Sequence, residues 1–113
     1  LLLPPRATER GKLKLALHTP CRAANPVEIA WALAVVHSEL VIIHPFREGN
    51  GRCARLLALL MALQAGLPPL DFGALRGTMR GAYIAAIHAA VGSDYEPMRA
   101  IFKVVIERTL RAY

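Results

Sequence analysis

The sequence predicts an all-α domain, on three observations. Ala and Leu dominate a composition that is 55% hydrophobic and only 6% aromatic, and unbranched side chains lose little rotamer freedom in a helix. Apolar residues recur at spacings of three and four along four segments, the period of one helix face. Prolines and capping residues fall at the ends of those segments. With 113 residues and 19% charged side chains, the chain has room for one hydrophobic core and too much apolar surface to stay disordered.

Residues 1–6 read as an extended lead-in, because Pro4 and Pro5 disfavour helix in what precedes them. Residues 7–19 carry Leu13, Leu15, Ala16 and Leu17 among charges and predict a short helix that ends at Thr19-Pro20. The next start is better marked. Asn25 can cap, Pro26 suits the first helical position, and Glu28 completes the capping-box spacing. From there Ile29, Leu33, Val36, Leu40 and Ile43 follow helical spacing while the other faces are also apolar, so 26–43 predicts a core helix. His44-Pro45 stops it.

A second apolar segment, about 51–65, contains Leu56, Leu57, Leu59, Leu60, Met61 and Leu63. Gly66 stands where a C-terminal cap is needed, and Pro68-Pro69 prevents continuation. A third run, about 78–91, repeats Met79, Tyr83, Ile87 and Val91, and Gly92-Ser93 breaks it. After a capping Asp94, residues 95–112 form an amphipathic pattern. Met98, Ile101, Phe102, Val105, Ile106, Thr109 and Leu110 lie on one face, and Arg99, Lys103, Glu107, Arg108 and Arg111 on the other.

The net charge of +6 favours anionic partners without choosing among nucleic acid, membrane surface and nucleotide. Cys21 and Cys53 make neither a metal spacing nor a disulfide framework, and that usage suits a reducing compartment. A cytoplasmic, bacterial protein is the expectation. Glu28, His37 and Glu39 interrupt the longest apolar stretch, which argues against a membrane span. Leu1-Leu2-Leu3 lacks the basic start of a signal peptide. The chain opens without Met and reads as a piece of something longer.

Residues 44–55 concentrate chemistry between two helices expected to be buried. His44 titrates near neutral pH and can accept a proton. Glu48 is a hard oxygen ligand of the kind Mg²⁺ takes. Gly49 and Gly51 flank Asn50 and let backbone N–H groups approach a ligand, and the loop feeds a helix N-terminus, a ready anion site. Arg52 and Arg55, three apart in the first turns of that helix, would repel its positive dipole end unless an anion lay between them. Phe46, among polar neighbours, reads as an anchor that holds the loop against the core. Together these residues supply a base, a metal carboxylate, an anion hole and two phosphate clamps.

This segment, His44-Pro45-Phe46-Arg47-Glu48-Gly49-Asn50-Gly51-Arg52-Cys53-Ala54-Arg55, resembles the Fic signature H-x-F-x-[D/E]-G-N-G-R-x-x-R at every defined position. Pro26–Ile43 resembles the helix that leads into the signature, and Ala65-Gly66-Leu67-Pro68-Pro69 resembles its continuation. The resemblance implies a single Fic-type helical bundle over residues 1–113, with its active-site loop between two helices. It implies a nucleotidyltransferase that moves AMP from ATP to a Tyr, Ser or Thr hydroxyl of a target protein and releases pyrophosphate. By the same resemblance His44 would be the base, Glu48 the Mg²⁺ ligand and Asn50 a holder of the α-phosphate. Gly49 and Gly51 would give backbone donors, and Arg52 and Arg55 would grip the terminal phosphates. The phosphorylating Doc branch carries Lys at the position of Gly51, so Gly51 favours nucleotidyl transfer.

Two parts of the family pattern are not found. A target-aligning β-hairpin flap would lie upstream, and Leu1–Pro5 resembles the stretch that follows it. The inhibitory [S/T]-x-x-x-E-[G/N] motif is absent, so a separate antitoxin-like protein would supply it, or a further segment would. Three alternatives accompany this reading: a related domain with another nucleotide or phosphate donor, a basic helical module for nucleic acid, and a silent fragment that only engages a regulator. Outside the loop, His37 reads as a structural histidine, His18 and His88 as surface or partly buried residues, and Trp31 and Tyr83 as core. Tyr83 has a second possible place at the edge of an adenine pocket.

Overall fold

The structure, a computed structural model, describes residues 5–19, 21–23, 25–43 and 50–112. Among these residues five α-helices run in the order α1 (Pro5–His18), α2 (Pro26–Ile43), α3 (Asn50–Gln64), α4 (Arg80–Val91) and α5 (Glu96–Arg111), with a 3₁₀ turn at Gly73–Arg76 before α4. The class is all-α, as the periodicities predict. The extended lead-in is corrected at Pro5 and Arg6, which already belong to α1. Proline loses nothing at a first helical position, where the N–H has no partner, and its fixed φ suits the helix.

α2 is the axis. It packs against α1, α3, α4 and α5, and α5 closes on α4 as well. By length and composition α2 could cross a membrane despite the three polar residues that interrupt it, yet 61% of it is buried inside this fold. That is the pattern of a core helix surrounded by its neighbours. Its start follows the sequence: the Glu28 N–H donates to Asn25 Oδ1 at 3.0 Å, a side-chain cap.

α3 departs from expectation. The residues it buries are Ala54, Ala58, Met61 and Ala62, whereas Leu56, Leu60 and Leu63 are 56%, 48% and 44% exposed. Small side chains let α3 approach α2 closely, and the leucines are left on the outer face. α4 behaves alike, burying Ala86 and Ala90 while Val91 is exposed. Trp31 is also not core. It stands 37% exposed, edge-on to Tyr95 with ring centroids 5.9 Å apart.

Helix ends follow the sequence signals closely. Gly66 takes φ +88°, the Leu67 N–H donates to the Ala62 carbonyl (2.9 Å) and the Gly66 N–H to the Leu63 carbonyl (3.0 Å). This paired arrangement is the Schellman cap, in which a side chain at the left-handed residue is disfavoured. Asp94 Oδ1 accepts from the Glu96 N–H at 3.2 Å at the start of α5.

Two contacts hold the end of α2 that leads to residue 44. Gly11 of α1 sits so close that a Cβ there would come within 2.2 Å of Ile43 Cδ1 and 2.6 Å of Cγ1. One turn earlier on α2, the Glu39 side chain is fully buried. Arg10 Nη2 donates to Glu39 Oε2 at 3.2 Å, and its Nε stands 2.9 Å from Oε1. That second approach is charge contact at an angle too poor for a hydrogen bond. The Tyr95 hydroxyl donates to Glu39 Oε1 in a short hydrogen bond. Burial, then the hydrogen bond to Glu39, pushes the Tyr95 phenol up to about 12.

Two outcomes follow. Gly11→Ala overpacks the α1–α2 contact and should lower unfolding free energy in urea by about 1–3 kcal/mol. An unchanged midpoint would mean that Ile43 simply moves aside. Tyr95→Phe removes a hydrogen bond to a buried charge and should cost about 1.5–3 kcal/mol. A phenol pKa raised by folding stabilises fully below the ordinary value of 10 and loses that contribution as pH rises towards 12. The alkaline loss of stability should therefore shrink in Tyr95→Phe when urea titrations are repeated between pH 9 and 12.

Candidate functional site

Helices α2 and α3 bracket the signature segment: α2 ends at Ile43 and α3 begins at Asn50. His44, Phe46, Glu48 and Gly49 lie outside the described residues, as does the side chain of Asn50. The structure therefore places the frame of the site and its arginine side. Among the described residues no three metal-ligating side chains cluster.

Gly51, Arg52 and Arg55 open α3. Arg52 is exposed and Arg55 half-buried. The Arg55 side chain folds back over the helix start, where a Cβ on Gly51 would meet its Nη1 at 3.3 Å. Such a contact is tighter than ordinary van der Waals packing, so Gly51 has a role that needs no special backbone angle. It leaves room for the guanidinium at the helix N-terminus.

Beneath Arg55 lies His37, and this pair was not anticipated from the sequence. His37 is buried and its Nε2 stands 2.6 Å from the Tyr83 hydroxyl. Nδ1 has no hydrogen-bond partner among the described residues. Burial holds the imidazole down to about 4, the Ala54 carbonyl pulls the other way, and the positive Arg55 lowers it further. At neutral pH His37 is therefore uncharged, in keeping with a structural histidine. The Tyr83 phenol is raised by burial, and Arg55 opposes that shift. The guanidinium thus acts on both members of the pair. Tyr83 is half-buried rather than core.

Tyr83 also walls a cavity of about 440 Å³ whose other lining residues are Arg55, Leu75, Arg76, Arg80 and Ile84. Arg76 ends the 3₁₀ turn and Arg80 begins α4. Sequence reasoning missed both. A usable signal was present: between Glu48 and Asp94 the only acidic residue is Asp71, while Arg52, Arg55, Arg76 and Arg80 all fall in that stretch. Among the described residues no carboxylate forms an ion pair with Arg55, Arg76 or Arg80; the ion pairs run from Arg10 to Glu39 and from Arg99 to Glu96.

Other basic and concave features sit elsewhere. A cavity of about 410 Å³ lies where α1 ends and α2 begins, lined by residues that include His18, Arg22, Glu28 and Trp31. Along α2, from Glu28 to Ile43, it is roughly 22 Å from the signature segment at 1.5 Å per residue. On α5, Arg99 is engaged by Glu96 at 2.8 Å and Glu107 interrupts the basic face, which weakens that face as a nucleic-acid surface.

The sequence model of the Fic/DOC family matches residues 2–62. Among curated proteins, the chain is 41% identical over 75 residues to the protein adenylyltransferase fic-1 of Caenorhabditis briggsae, an alignment that covers 66% of this chain and 14% of that protein. With the Caenorhabditis elegans protein of the same name it is 41% identical over 73 residues, 65% of this chain and 13% of the relative. The protein adenylyltransferase Fic of Nematostella vectensis is 38% identical over 89 residues, 79% of this chain and 19% of the relative. The chain thus spans less than a fifth of the length of these relatives. All three are animal proteins, which overturns the expectation of a bacterial source and gives the cytoplasmic expectation no support. Two unpaired cysteines report only that no disulfide framework is built, and they carry nothing about the source of the chain.

The His37–Tyr83 pair makes a checkable statement about pH. A histidine whose pKa falls on folding stabilises fully above its ordinary 6.5 and loses that contribution as pH drops towards 4. The loss amounts to about 3 kcal/mol over that window. Unfolding free energies measured from pH 7 to 4 should show this slope in the parent chain and a flatter one in His37→Asn. Equal slopes would mean that His37 is not held neutral by the fold.

Proposed function

The chain belongs to the Fic/DOC family, and from that premise we propose that it carries the nucleotide-handling core of a protein adenylyltransferase. The substrates are ATP and a hydroxyl-bearing protein. One observation carries the reading: a signature segment complete at every defined position runs into a helix whose first turns hold two arginines. One of these, Arg55, is folded over a glycine with no carboxylate ion pair among the described residues. Arginines beside a positive helix end are stabilised by an anion. The names of the animal relatives supply the reaction class.

In the proposed reaction the target hydroxyl oxygen attacks the α-phosphorus of ATP. The bond from that phosphorus to the bridging oxygen breaks, pyrophosphate leaves, and the hydroxyl proton passes to His44. His44 is the base by its pKa range. Asn50 and the backbone at Gly49 and Gly51 hold the α-phosphate, while Arg52 and Arg55 hold the departing phosphates. The donor chemistry fits Mg²⁺: Glu48 is a carboxylate beside a phosphate site, and the ion would neutralise charge on the phosphate oxygens. Phe46 anchors the loop. A protein that occupies the arginine side would act as an inhibitor, which is the place for an antitoxin-like partner.

Transfer is tested by labelling a protein with α-phosphate-labelled ATP and Mg²⁺. His44→Ala should reduce labelling by about 10²- to 10⁴-fold, the range for loss of a general base. Undiminished labelling would show that His44 is not the base.

A further inference from the structure

The cavity beside α3 joins two helix beginnings that are both charged against their own dipoles. Neither α3 nor α4 has an acidic residue in its first turn. α3 carries Arg52 and Arg55 near its start, and α4 begins with Arg80. Cations at a helix N-terminus are disfavoured, since that end already bears about half a positive charge. Met79, at the cap position of α4, makes no side-chain capping bond. Arg55, Arg76 and Arg80 line one cavity of about 440 Å³. No carboxylate forms an ion pair with any of them among the described residues. Three guanidinium groups around one concavity repel one another in water as well as the helix ends. The arrangement is balanced by a ligand with several negative charges and oxygen acceptors matched to planar forks.

We propose that Arg76 and Arg80 extend the phosphate site beyond the signature segment, so that this cavity takes the two terminal phosphates of the nucleotide and retains them as pyrophosphate. The inference rests on the nucleotidyl-transfer reading for the identity of the ligand, and on the arginine geometry alone for the existence of the site. Arg76 and Arg80 are positioning residues: they act on the leaving phosphates and not on the α-phosphorus. Tyr83 belongs to the wall. Its hydroxyl is engaged by His37 at 2.6 Å, which fixes the ring between Arg55 and the start of α4.

The test is calorimetric titration of the chain with inorganic pyrophosphate, ATP and AMP, for the parent, R76A/R80A and a control, R99A/K103A, on α5. Arg76 and Arg80 are exposed and make no ion pair among the described residues, so the melting temperature of R76A/R80A should stay near that of the parent. Pyrophosphate and ATP affinity should fall at least ~10-fold in R76A/R80A, in line with the loss of charge-assisted hydrogen bonds. AMP affinity and the control should be unchanged. A second measurement uses only the parent chain: pyrophosphate should protect Arg76 and Arg80, but not Arg108 or Arg111, from an arginine-specific dicarbonyl reagent.

The proposal is overturned if R76A/R80A binds pyrophosphate as the parent does, if AMP weakens equally, or if the control loses as much. Absence of protection at Arg76 and Arg80 overturns it as well. The two readings separate cleanly. Arginine-dependent pyrophosphate binding without protein labelling keeps this site and removes the transferase. Labelling that is indifferent to R76A/R80A keeps the transferase and removes this site.

Discussion

A carboxylate with no access to water organises this bundle. Glu39 lies on the most buried helix, and an ionised side chain there costs several kcal/mol unless it is paired and hydrogen-bonded. The partners come from different directions. Arg10 reaches it from α1 and the Tyr95 hydroxyl from the start of α5. The same guanidinium donates from Nη1 to the Val91 carbonyl at 3.0 Å and from Nη2 to the Ala90 carbonyl at 3.3 Å. A cation on the last carbonyls of α4 is favoured by the helix dipole and satisfies groups that have no partner within the helix. One ion pair therefore touches four of the five helices. It stands one turn before Ile43, where Gly11 brings α1 into close contact with α2. The point at which the chain leaves α2 for His44 is thus the most constrained end of the axis.

The arginine side is built on the opposite principle. Around Glu39 the charge has its counter-charge, whereas the charged residues described in the lining of the 440 Å³ cavity are all of one sign. A fold that needed only stability would place Asp or Glu in the first turns of α3 and α4. Local rules broken together in one place, with the rest of the molecule consistent, mark function rather than poor packing. The small-residue faces of α3 and α4 contribute to this economy. Ala54, Ala58 and Ala62 on one helix, and Ala86 and Ala90 on the other, are all buried, so both helices sit close in, and Arg55 of one and Arg80 of the other line a common concavity.

Most of the architecture was legible because it depends on local chemistry. The start of α2 at Pro26 follows from Asn25 and Glu28, and the end of α3 follows from Gly66. What was not legible depends on distances between segments. Leu56, Leu60 and Leu63 look like core in a window of sequence, yet burial is decided by which face meets α2, and the alanines won because they allow closer approach. Trp31 misled as well: it lies on α2 itself, yet it stands 37% exposed and edge-on to Tyr95. Arg76 and Arg80 were passed over because they lie about twenty residues beyond the signature, in a stretch with no helical periodicity at its start. Only the packing of α3 and α4 on the common axis α2 brings them to one cavity with Arg55. The signature itself was fully readable as a pattern, and its chemistry could be argued residue by residue from Gly51, Arg52 and Arg55.

The link between the constrained axis and the unbalanced cavity is His37–Tyr83. His37 is neutral at physiological pH, and a neutral imidazole has one donor nitrogen and one acceptor. Its Nε2 stands 2.6 Å from the Tyr83 hydroxyl, and in the tautomer protonated at Nδ1 that nitrogen accepts from the hydroxyl. In that tautomer Tyr83 gives its single proton inward, and towards the cavity its oxygen offers only lone pairs. Lone pairs suit arginine and repel phosphate oxygens. In the proposed phosphate site such a wall would face the guanidinium groups that line the same cavity and leave the anion to them. A charged His37 would reverse this, adding a fourth positive group behind Arg55 and taking up the acceptor that fixes Tyr83. Burial of His37 keeps a further positive charge away from the arginines, as the proposed phosphate site requires.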